Sequence, residues 1–545
     1  MGKLIVVIIL TLLSVSRSNS QVTQEWSQRY NGPASNFDGG RKLAVDILGN
    51  VYVTGDSKGT GTNYDYCTIK YNSSGTQQWV QRYNGTSNGD DYPNSIAVDA
   101  SGNVYVTGSS FENNSGSDLA TIKYSSSGVE QWVHRYSHSF GDDVGYDIAV
   151  DAAGNVYVTG KSGGIAVGSD DIITIKYNPS GDPLWAERYN GPSNLNDVGF
   201  ALAVDVSGNV YVTGSSPGTS LTFDYLTLKY NSSGAKQWEQ FRNGIGSGND
   251  AAYAIELDYS GNVYVTGTVA GWGTNKDYLT IKYNPAGTQV WSRDYNNVPI
   301  HGNDEAFSLA VDSAGNVFVT GNSIGANGTS DFLTVCYNSL GEPAVWTSRY
   351  NGAANGNDFA NDIKIDKNNN VYITGQSTIS GSLTNYVTIK YSSTGAQQWL
   401  QEYNGPSNGN DKATSLAIDN TGNVYVTGSS EGTGTSFDFA TIKYSQSVGV
   451  QTISTEVPQK FFLSQNYPNP FNPSTTINFD MHKSGIVSIK VFDLLGKEMQ
   501  ELVKEFKPAG SYQITFDGSK FGSGVYFYEM QTNDFVETKR MLLVK

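Results

Sequence analysis

Residues 95–108 read Ser95-Ile96-Ala97-Val98-Asp99-Ala100-Ser101-Gly102-Asn103-Val104-Tyr105-Val106-Thr107-Gly108. Two runs rich in β-branched and aromatic residues flank a turn of small polar residues, which is the pattern of a β-hairpin. The second run recurs with small changes, 52 to 54 residues apart, ending at Gly55, Gly108, Gly160, Gly214, Gly267, Gly321, Gly375 and Gly428. A fixed period of this length predicts a repeat architecture in which each unit stacks on its neighbours.

Each period contains four strand-like runs. In the second copy they are Ser95–Asp99, Val104–Gly108, Asp118–Tyr124 and Gln131–Tyr136. No window shows a sustained 3.6-residue periodicity, so we expect almost no helix. In several runs both the odd and the even positions are apolar, which favours small antiparallel sheets that are covered on both faces. Four-stranded blades packed as a β-propeller provide that cover.

The number of repeats predicts the number of blades. The tryptophan of the last run occurs eight times, as Trp26, Trp79, Trp132, Trp185, Trp238, Trp291, Trp346 and Trp399. The repeats open on the Trp26 run and close on Tyr444, so Gln24–Asn31 is expected to complete the last blade. We therefore predict an all-β fold with an eight-bladed β-propeller of four-stranded antiparallel blades, closed by an N-terminal strand that leaves no exposed sheet edge. An open solenoid is the alternative.

The repeat unit resembles a bacterial β-propeller repeat family whose unit reads A-V-D-x-x-G-N-x-Y-V-T-G. Asp99–Gly108, Asp205–Gly214 and Asp419–Gly428 match this unit position by position, and the resemblance covers residues 24–444. It implies the propeller fold. It implies no particular reaction, because the family is defined by its repeat.

The N-terminus has the pattern of a secretory signal. Lys3 precedes the apolar run Leu4–Val15, and small residues follow it. We predict a signal peptide over residues 1–20, a propeller over residues 21–445 and a linker over residues 446–460. An uncleaved anchor is the alternative. No other stretch approaches the ~20 apolar residues of a membrane span, so we expect no transmembrane segment after signal removal.

Residues 461–545 form a second domain. Strand-like runs at Thr475–Asp480, Val487–Phe492, Tyr512–Phe516, Val525–Met530 and Thr538–Val544 predict a small Ig-like β-sandwich. Its characteristic residues are Tyr467, Pro468, Asn469, Pro470, Phe471, Asn472, Pro473, Gly496, Gly524, Tyr526, Lys539 and Lys545. These residues resemble the type A C-terminal sorting domain of the bacterial type IX secretion system. The resemblance implies recognition by the type IX secretion machinery at the outer membrane and a secreted or cell-surface protein. A structural module without a transport role is the alternative.

The chain is acidic, and its charge is concentrated in the repeats. Its formal net charge is −16, and 23 of its 51 carboxylates occupy three repeated Asp positions. This balance argues against a nucleic-acid partner. Cys67 and Cys336 lie five repeats apart along the chain, so we expect two single buried thiols rather than a disulfide or a metal pair.

The three Asp positions define three sets. The first set follows the Trp run and comprises Asp38, Asp91, Asp143, Asp197, Asp250, Asp304, Asp358 and Asp411. The second set comprises Asp46, Asp99, Asp151, Asp205, Asp258, Asp312, Asp366 and Asp419. The third set comprises Asp65, Asp118, Asp171, Asp224, Asp277, Asp331 and Asp438, with Asn385 in the seventh repeat. Alternating strand direction predicts that the first and third sets share one face and that the second lies on the opposite face.

The second set precedes a Gly-Asn turn, where we expect its carboxylates to accept backbone N–H groups while the glycine takes a positive φ. The first set supplies candidate binding residues. We favour loop capping for the first and third sets and expect no cofactor, with calcium as the alternative if the two sets approach one another within a blade. The repeated tryptophans are expected to pack in the core rather than to bind sugars. Trp272 lies in a loop outside the repeat and is a further candidate contact residue.

We expect a secreted or cell-surface, non-enzymatic propeller that serves in binding or as a scaffold for an extracellular protein or glycan. Motifs of common hydrolases, phosphate loops and zinc sites are absent from the sequence, and His134, His138 and His301 lack the spacing of zinc ligands. Two alternatives remain. One is a polysaccharide hydrolase or lyase that uses one face of the propeller, and the other is a multivalent lectin.

Overall fold

The computed structural model describes residues 22–113, 116–138, 141–164, 169–218, 221–246, 248–271, 275–298, 300–342, 345–381, 383–446, 450–518 and 521–545. The predicted signal peptide and Trp272 lie outside the described residues. The described residues are all-β, and none of them belongs to a helix that is long and apolar enough to cross a membrane. They divide into a larger unit, Gln24–Ser445, and a second unit that contains the C-terminal region.

The strands of the larger unit are β1 (Val22–Tyr30), β2 (Asp38–Val45), β3 (Val51–Lys58), β4 (Tyr64–Tyr71), β5 (Gln77–Tyr83), β6 (Asp91–Val98), β7 (Val104–Glu112), β8 (Gly116–Tyr124), β9 (Glu130–Tyr136), β10 (Val144–Val150), β11 (Val156–Ser162), β12 (Asp171–Tyr177), β13 (Pro183–Tyr189), β14 (Val198–Val204), β15 (Val210–Pro217), β16 (Phe223–Tyr230), β17 (Lys236–Arg242), β18 (Ala251–Leu257), β19 (Val263–Ala270), β20 (Lys276–Tyr283), β21 (Gln289–Tyr295), β22 (Asp304–Val311), β23 (Val317–Ile324), β24 (Ser330–Tyr337), β25 (Trp346–Tyr350), β26 (Asp358–Ile365), β27 (Val371–Ser380), β28 (Leu383–Tyr391), β29 (Gln397–Tyr403), β30 (Asp411–Ile418), β31 (Val424–Glu431) and β32 (Phe437–Gln446).

In the described part of the chain these strands form eight four-stranded sheets. Seven sheets follow chain order, from β2-β3-β4-β5 to β26-β27-β28-β29, and the eighth has the order β1-β32-β31-β30. The N-terminal strand therefore shares a sheet with the last three strands of the unit. The first strand of each sheet packs against the first strand of the next, and β2 packs against β30 and β31.

The core of the larger unit lies between successive sheets. One cluster joins Tyr105 and Leu119 of one sheet to Ile148, Val158 and Ile175 of the next. All five side chains are buried because both faces of each sheet are covered, as the apolar runs predict.

Each repeated tryptophan packs at the junction of two sheets. The Trp79 ring centroid lies 6.2 Å from those of Tyr52 and Tyr124, and Trp79 Nε1 donates a 3.2 Å hydrogen bond to the Ser126 carbonyl oxygen. Gly128 faces the indole with φ +86°, and a Cβ there would lie 2.7 Å from the Trp79 ring. These contacts confirm the packing role predicted for the tryptophans.

The second unit contains β33 (Gln451–Ser454), β34 (Phe462–Leu463), β35 (Ser474–Met481), β36 (Gly485–Phe492), β37 (Glu498–Lys507), β38 (Gly510–Asp517), β39 (Gly524–Gln531) and β40 (Val536–Leu543). They form two sheets, β33-β38-β35-β34 and β37-β36-β39-β40. One apolar core, with Ile477, Phe479 and Ile514 from the first sheet and Ile489 and Tyr528 from the second, lies between them.

Two of these strands differ from expectation. β33 lies inside the predicted linker and pairs with β38, so residues 451–454 belong to the second unit. β37 carries five charged residues and forms the edge of its sheet, where charged side chains face water. Its composition hides it from a search for apolar runs.

Candidate functional site

The second Asp set forms the hairpin turns as predicted. Asp99 Oδ1 accepts the N–H groups of Ser101 and Asn103, both at 2.9 Å. Its Oδ2 accepts Asn103 Nδ2 at 2.7 Å and the Tyr105 hydroxyl at 3.0 Å, while Gly102 has φ 77°. Although burial acts to raise the pKa of Asp99, these hydrogen bonds hold it below its usual value. This confirms the structural role expected for the set.

The first Asp set lies with its carboxylates fully buried. Asp143 Oδ2 accepts the His138 N–H at 2.8 Å, and Asp197 Oδ2 accepts the Gly191 N–H at 2.6 Å. The same bond to the preceding loop recurs in the other six repeats, from Gly32, Gly85, Gly244, Asn297, Gly352 and Gly405. Burial raises the pKa of both Asp143 and Asp197 to about 6. These predicted binding residues thus fasten the loops that precede the first strands.

The third Asp set pairs with an arginine that sequence reasoning missed. In five sheets this arginine lies three residues after the repeated Trp, and its guanidinium contacts the Asp carboxylate. The pairs are Arg29–Asp438 at 2.8 Å, Arg82–Asp65 at 2.7 Å, Arg135–Asp118 at 3.0 Å, Arg188–Asp171 at 2.6 Å and Arg349–Asp331 at 2.9 Å. The sequence did contain a signal for these arginines, because they recur three residues after the repeated Trp.

Three sheets lack this arginine and carry Phe241, Asp294 and Glu402 in its place. In the sheet with Glu402, the third-set position is Asn385, so no carboxylate needs a cation there. The other two keep buried carboxylates, Asp224 and Asp277. Unlike the other aspartates of the third set, Asp224 and Asp277 lack the arginine partner.

Among the described residues, Asp224 has neither a hydrogen bond nor an ion pair, and the residue is only 6% exposed. Asp277 accepts one long hydrogen bond, from Asn296 Nδ2 at 3.4 Å. Burial raises the pKa of each carboxyl to about 6, and the neighbouring Asp250 and Asp304 add to the rise for Asp224 and Asp277, respectively. Two adjacent sheets therefore hold uncompensated acids.

Register confirms that the first and third sets lie at the same end of the sheets. Asp91 is opposite Ser110, and Ser110 is opposite Asp118. Burial raises the pKa of Asp143, and Asp118 of the preceding sheet adds to the rise, so this acid of the first set has a third-set neighbour across the junction between two sheets. No group of three or more His, Cys, Asp or Glu side chains in the described ranges has the arrangement of a metal site. The expectation of no cofactor, with calcium as the alternative, stays a prediction.

Five charged side chains on first strands form what we call the first-strand cluster: Lys42, Asp147, Glu256, Asp362 and Lys364. Asp147 on β10 accepts hydrogen bonds from Ser95 Oγ on β6 at 2.9 Å and from the Leu202 N–H on β14 at 3.0 Å. One carboxylate thus connects the first strands of three sheets.

Asp362 repeats this arrangement on β26. It accepts Ser308 Oγ from β22 at 3.2 Å and the Leu416 N–H from β30 at 3.0 Å. Lys364 Nζ lies 3.6 Å from Asp362 Oδ1, and this carboxylate raises the pKa of Lys364. Burial raises the pKa of Glu256, and Lys364 opposes the rise. The cluster is the part of the first strands where the repeats differ most in charge.

Sequence reasoning missed the first-strand cluster because its members occupy two repeat positions that carry no charge in most repeats. Glu256 and Lys364 stand where most repeats have the Ala of the A-V-D unit. Comparing every repeat with the consensus would have found them.

The predicted sorting residues are distributed over the second unit. Tyr467 is 82% exposed, whereas Phe471 is buried, 5.8 Å from the Phe516 ring. The Phe471 N–H donates to the Leu542 carbonyl oxygen at 2.9 Å, and the Val544 N–H donates to the Phe471 carbonyl oxygen at 3.0 Å. The proline-rich segment therefore holds the C-terminal strand.

The remaining sorting residues serve local contacts. Pro468 accepts Thr475 Oγ1 at 2.7 Å, Asn469 Oδ1 accepts the Leu542 N–H at 2.9 Å, and Pro473 accepts the Gly518 N–H at 2.8 Å. Pro470 and Asn472 flank Phe471, Gly496 has φ 80° in the β36–β37 turn, and Gly524 begins β39. Tyr526 donates to the Gly522 carbonyl oxygen at 2.8 Å, Lys539 pairs with Glu537 at 2.7 Å, and the Lys545 N–H donates to Ser523 Oγ at 3.0 Å.

Two family models match the chain. A β-propeller repeat matches residues 25–61, 78–114, 131–165, 300–329, 346–381 and 398–434, and a secretion system C-terminal sorting domain matches residues 465–545. The chain therefore carries bacterial-type β-propeller repeats followed by a type IX secretion sorting domain. The sorting domain directs export, with attachment at the cell surface or release.

A curated relative is an uncharacterised WD repeat-containing protein of Acanthamoeba polyphaga mimivirus, 24% identical over 505 residues that cover 72% of this chain. The match spans only 35% of that relative's length. Solved structures with weak similarity include a fungal alcohol oxidase of the AA5 family, with 12% identity, a TM-score of 0.41, and coverage of 97% of this chain and 100% of that one. Another is a protein of unknown function from Dyadobacter fermentans DSM 18053, with 10% identity, a TM-score of 0.37, and coverage of 78% and 99%.

Proposed function

We propose that the mature protein is a non-enzymatic binding or scaffold propeller displayed at, or released from, the cell surface. In this proposal residues 1–20 are a signal peptide, the larger unit is a closed eight-bladed ring completed by β1, and the C-terminal unit is an Ig-like sorting module that the type IX machinery recognises. The shared sheet β1-β32-β31-β30 and the packing of β2 against β30 and β31 support ring closure.

The observation that carries the non-enzymatic assignment is the burial of the first Asp set. All eight carboxylates are fully buried and accept backbone N–H bonds from the preceding loops. An acid that serves a hydrolase or lyase must reach the substrate within hydrogen-bond distance. Carboxylates engaged in the same loop contact in every repeat are suited to holding the loops in place.

Binding is expected where the repeats depart from one another. The buried parts of the sheets are nearly identical, whereas the first-strand cluster and the junctions between certain sheets carry residues that most repeats lack. A specific contact with an extracellular protein or glycan requires such individual surfaces.

Polysaccharide turnover tests this proposal. We expect purified mature protein to release no new reducing ends from a panel of plant, algal and bacterial polysaccharides. Turnover that is lost in Asp197→Asn but retained in Asp358→Asn would overturn the proposal in favour of a lyase or hydrolase with one active blade.

A further inference from the structure

Seven repeats place a lysine at the same junction between sheets. Lys229 Nζ lies 4.9 Å from the centroid of the Tyr211 ring and donates a 3.0 Å hydrogen bond to the Pro285 carbonyl oxygen of the next sheet. The same contact between lysine and tyrosine occurs in the other six, at Lys70, Lys123, Lys176, Lys282, Lys390 and Lys443. An ammonium group at this junction is thus held by an aromatic face and a carbonyl oxygen.

The sixth repeat lacks both partners of this contact. Cys336 stands in place of the lysine and Phe318 in place of the tyrosine, and the two are paired across β23 and β24. The adjoining turn of the next sheet also departs from the repeat, because Asn369, with φ 59°, stands where most repeats have glycine. Three departures from the repeat therefore meet at one junction.

The departures are mutually consistent. At the preceding junction, a Cβ on Gly315 would lie 3.2 Å from the Tyr264 hydroxyl, which leaves little room for a side chain. Phe318 has no hydroxyl, so the corresponding position accommodates Asn369. Cys336 is much shorter than the lysine that it replaces, so its side chain extends less far into this junction.

A cleft of about 530 Å³ lies at this junction. Its lining includes Asp312, Phe318, Cys336, Glu342 and Ser393. The cleft therefore combines two carboxylates, an aromatic ring and a main-chain carbonyl oxygen, and each of these groups can bind an ammonium ion.

Two acceptors in the cleft have fewer donors than their counterparts. Asp99 Oδ2 accepts a tyrosine hydroxyl, whereas Asp312 faces Phe318, which has none to offer. At another junction the Pro285 carbonyl oxygen accepts hydrogen bonds from both Trp238 Nε1 and Lys229 Nζ. The Ser393 carbonyl oxygen in the cleft accepts a 3.0 Å hydrogen bond from Trp346 Nε1, and Cys336 stands where the lysine donor would be. The site has the acceptors of the repeat without its cation.

We propose that this cleft binds the primary ammonium group of an unbranched alkylamine, such as a lysine side chain, in the position that lysine occupies in the other seven repeats. The inference deepens the proposed binding function, since it gives that function a site and a ligand chemistry. A lysine of an extracellular polypeptide and a free amine present the same group.

The probe is n-butylammonium, titrated against the full mature chain by ligand-observed NMR, with n-butanol as the neutral control. We expect saturable binding of the amine, none of the alcohol, and loss of amine binding above pH ~11, where the amine is neutral. In Cys336→Lys the chain supplies its own ammonium, so affinity should fall at least tenfold. No saturable binding to the wild type, or equal binding to Cys336→Lys, would overturn the proposal.

Two matched variants guard against misfolding. Cys336→Ser keeps the cleft and should bind like the wild type, whereas loss of binding in this variant would contradict the proposal. The double variant Tyr211→Phe/Lys229→Cys removes the tyrosine hydroxyl and the lysine at another junction and should add a second binding equivalent.

A short capped peptide that contains one lysine distinguishes the two sources of the ammonium group. Tighter binding of this peptide than of n-butylammonium assigns the site to polypeptides, and equal binding assigns it to small amines. Polysaccharide turnover would overturn the proposed function without affecting any of these outcomes.

Discussion

At the residue scale, Asp65 and Asp224 occupy the same position in two repeats but have different partners. Asp65 lies 2.7 Å from Arg82, whereas the repeat of Asp224 has Phe241 in the place of that arginine. A buried carboxylate without a cation is destabilising, and removing one partner of a buried pair is destabilising too. The same substitution should therefore have opposite effects at the two positions.

We expect Asp224→Asn to increase the free energy of unfolding at pH 7.5 by about 1–2 kcal/mol, because it removes an uncompensated buried charge. Asp65→Asn, the matched control, should decrease it by about 1–3 kcal/mol, because Arg82 loses its partner. Urea denaturation followed by tryptophan fluorescence measures both. A decrease in stability for Asp224→Asn as large as that for Asp65→Asn would contradict this account.

The increase in the free energy of unfolding of the double variant Asp224→Asn/Asp277→Asn over the wild type should depend on pH. Burial raises the pKa of both carboxyls to about 6, whereas an unfolded Asp titrates near 3.9. The stability that these groups contribute is fully present below pH ~3.9 and is lost as the pH rises through about 6. The variant's advantage over the wild type should therefore be largest above pH 7 and disappear near pH 4. Urea titrations at pH 4, 5, 6 and 7.5 test this, and an advantage that does not vary with pH would disprove the pKa assignment.

At the element scale, strand β1 is the only strand of its sheet that comes from the other end of the unit. Arg29 of β1 bonds to Asp438 Oδ2 and to the Ser430 carbonyl oxygen, both at 2.8 Å. The Trp26 ring lies 6.1 Å from both Tyr71 and Tyr425, which belong to two different sheets. β1 thus covers the β32 edge and contacts the neighbouring sheet.

Deletion of residues 22–30 should lower the melting temperature and expose the edge of β32, which promotes association between copies. A synthetic peptide of residues 22–30 added in trans should restore the melting temperature, and the same peptide with Arg29→Ala should restore less. Differential scanning fluorimetry with size-exclusion chromatography measures both effects. An unchanged melting temperature after the deletion would show that β1 contributes nothing to the sheet.

Elements that rest on the repeat could be predicted from the sequence, because strand runs, turn residues and packing tryptophans recur with one spacing. The Asp99 turn and the Trp79 contacts are examples. β37 was missed because an edge strand is charged, and β33 because a four-residue strand is defined by its partner rather than by its own pattern. The bridges made by Asp147 and the cleft beside Cys336 depend on which strands become neighbours across sheets, and one sequence read along its length does not give that.

At the scale of the whole molecule, the chain combines a repeat unit with a separate sorting domain. The sorting match covers residues 465–545, and Phe471 ties the proline-rich segment to the last strand. We therefore expect that export can be removed without unfolding the repeat unit.

Deletion of residues 465–545 should abolish delivery to the cell surface or medium while leaving the repeat unit folded in the periplasm. Fractionation with immunoblotting in a host that has type IX secretion measures the distribution, and protease resistance of the retained product serves as the folding control. Normal surface delivery of the truncated chain would contradict the sorting role.

We propose that the repeats close into a ring of eight sheets and that the start of the chain completes the last one. The most direct test is a crystal structure of the mature protein. We expect eight four-stranded blades around one axis, with residues 22–30 hydrogen-bonded to residues 437–446 and Trp26 between Tyr71 and Tyr425. A different number of blades, or residues 22–30 lying away from that sheet, would contradict it.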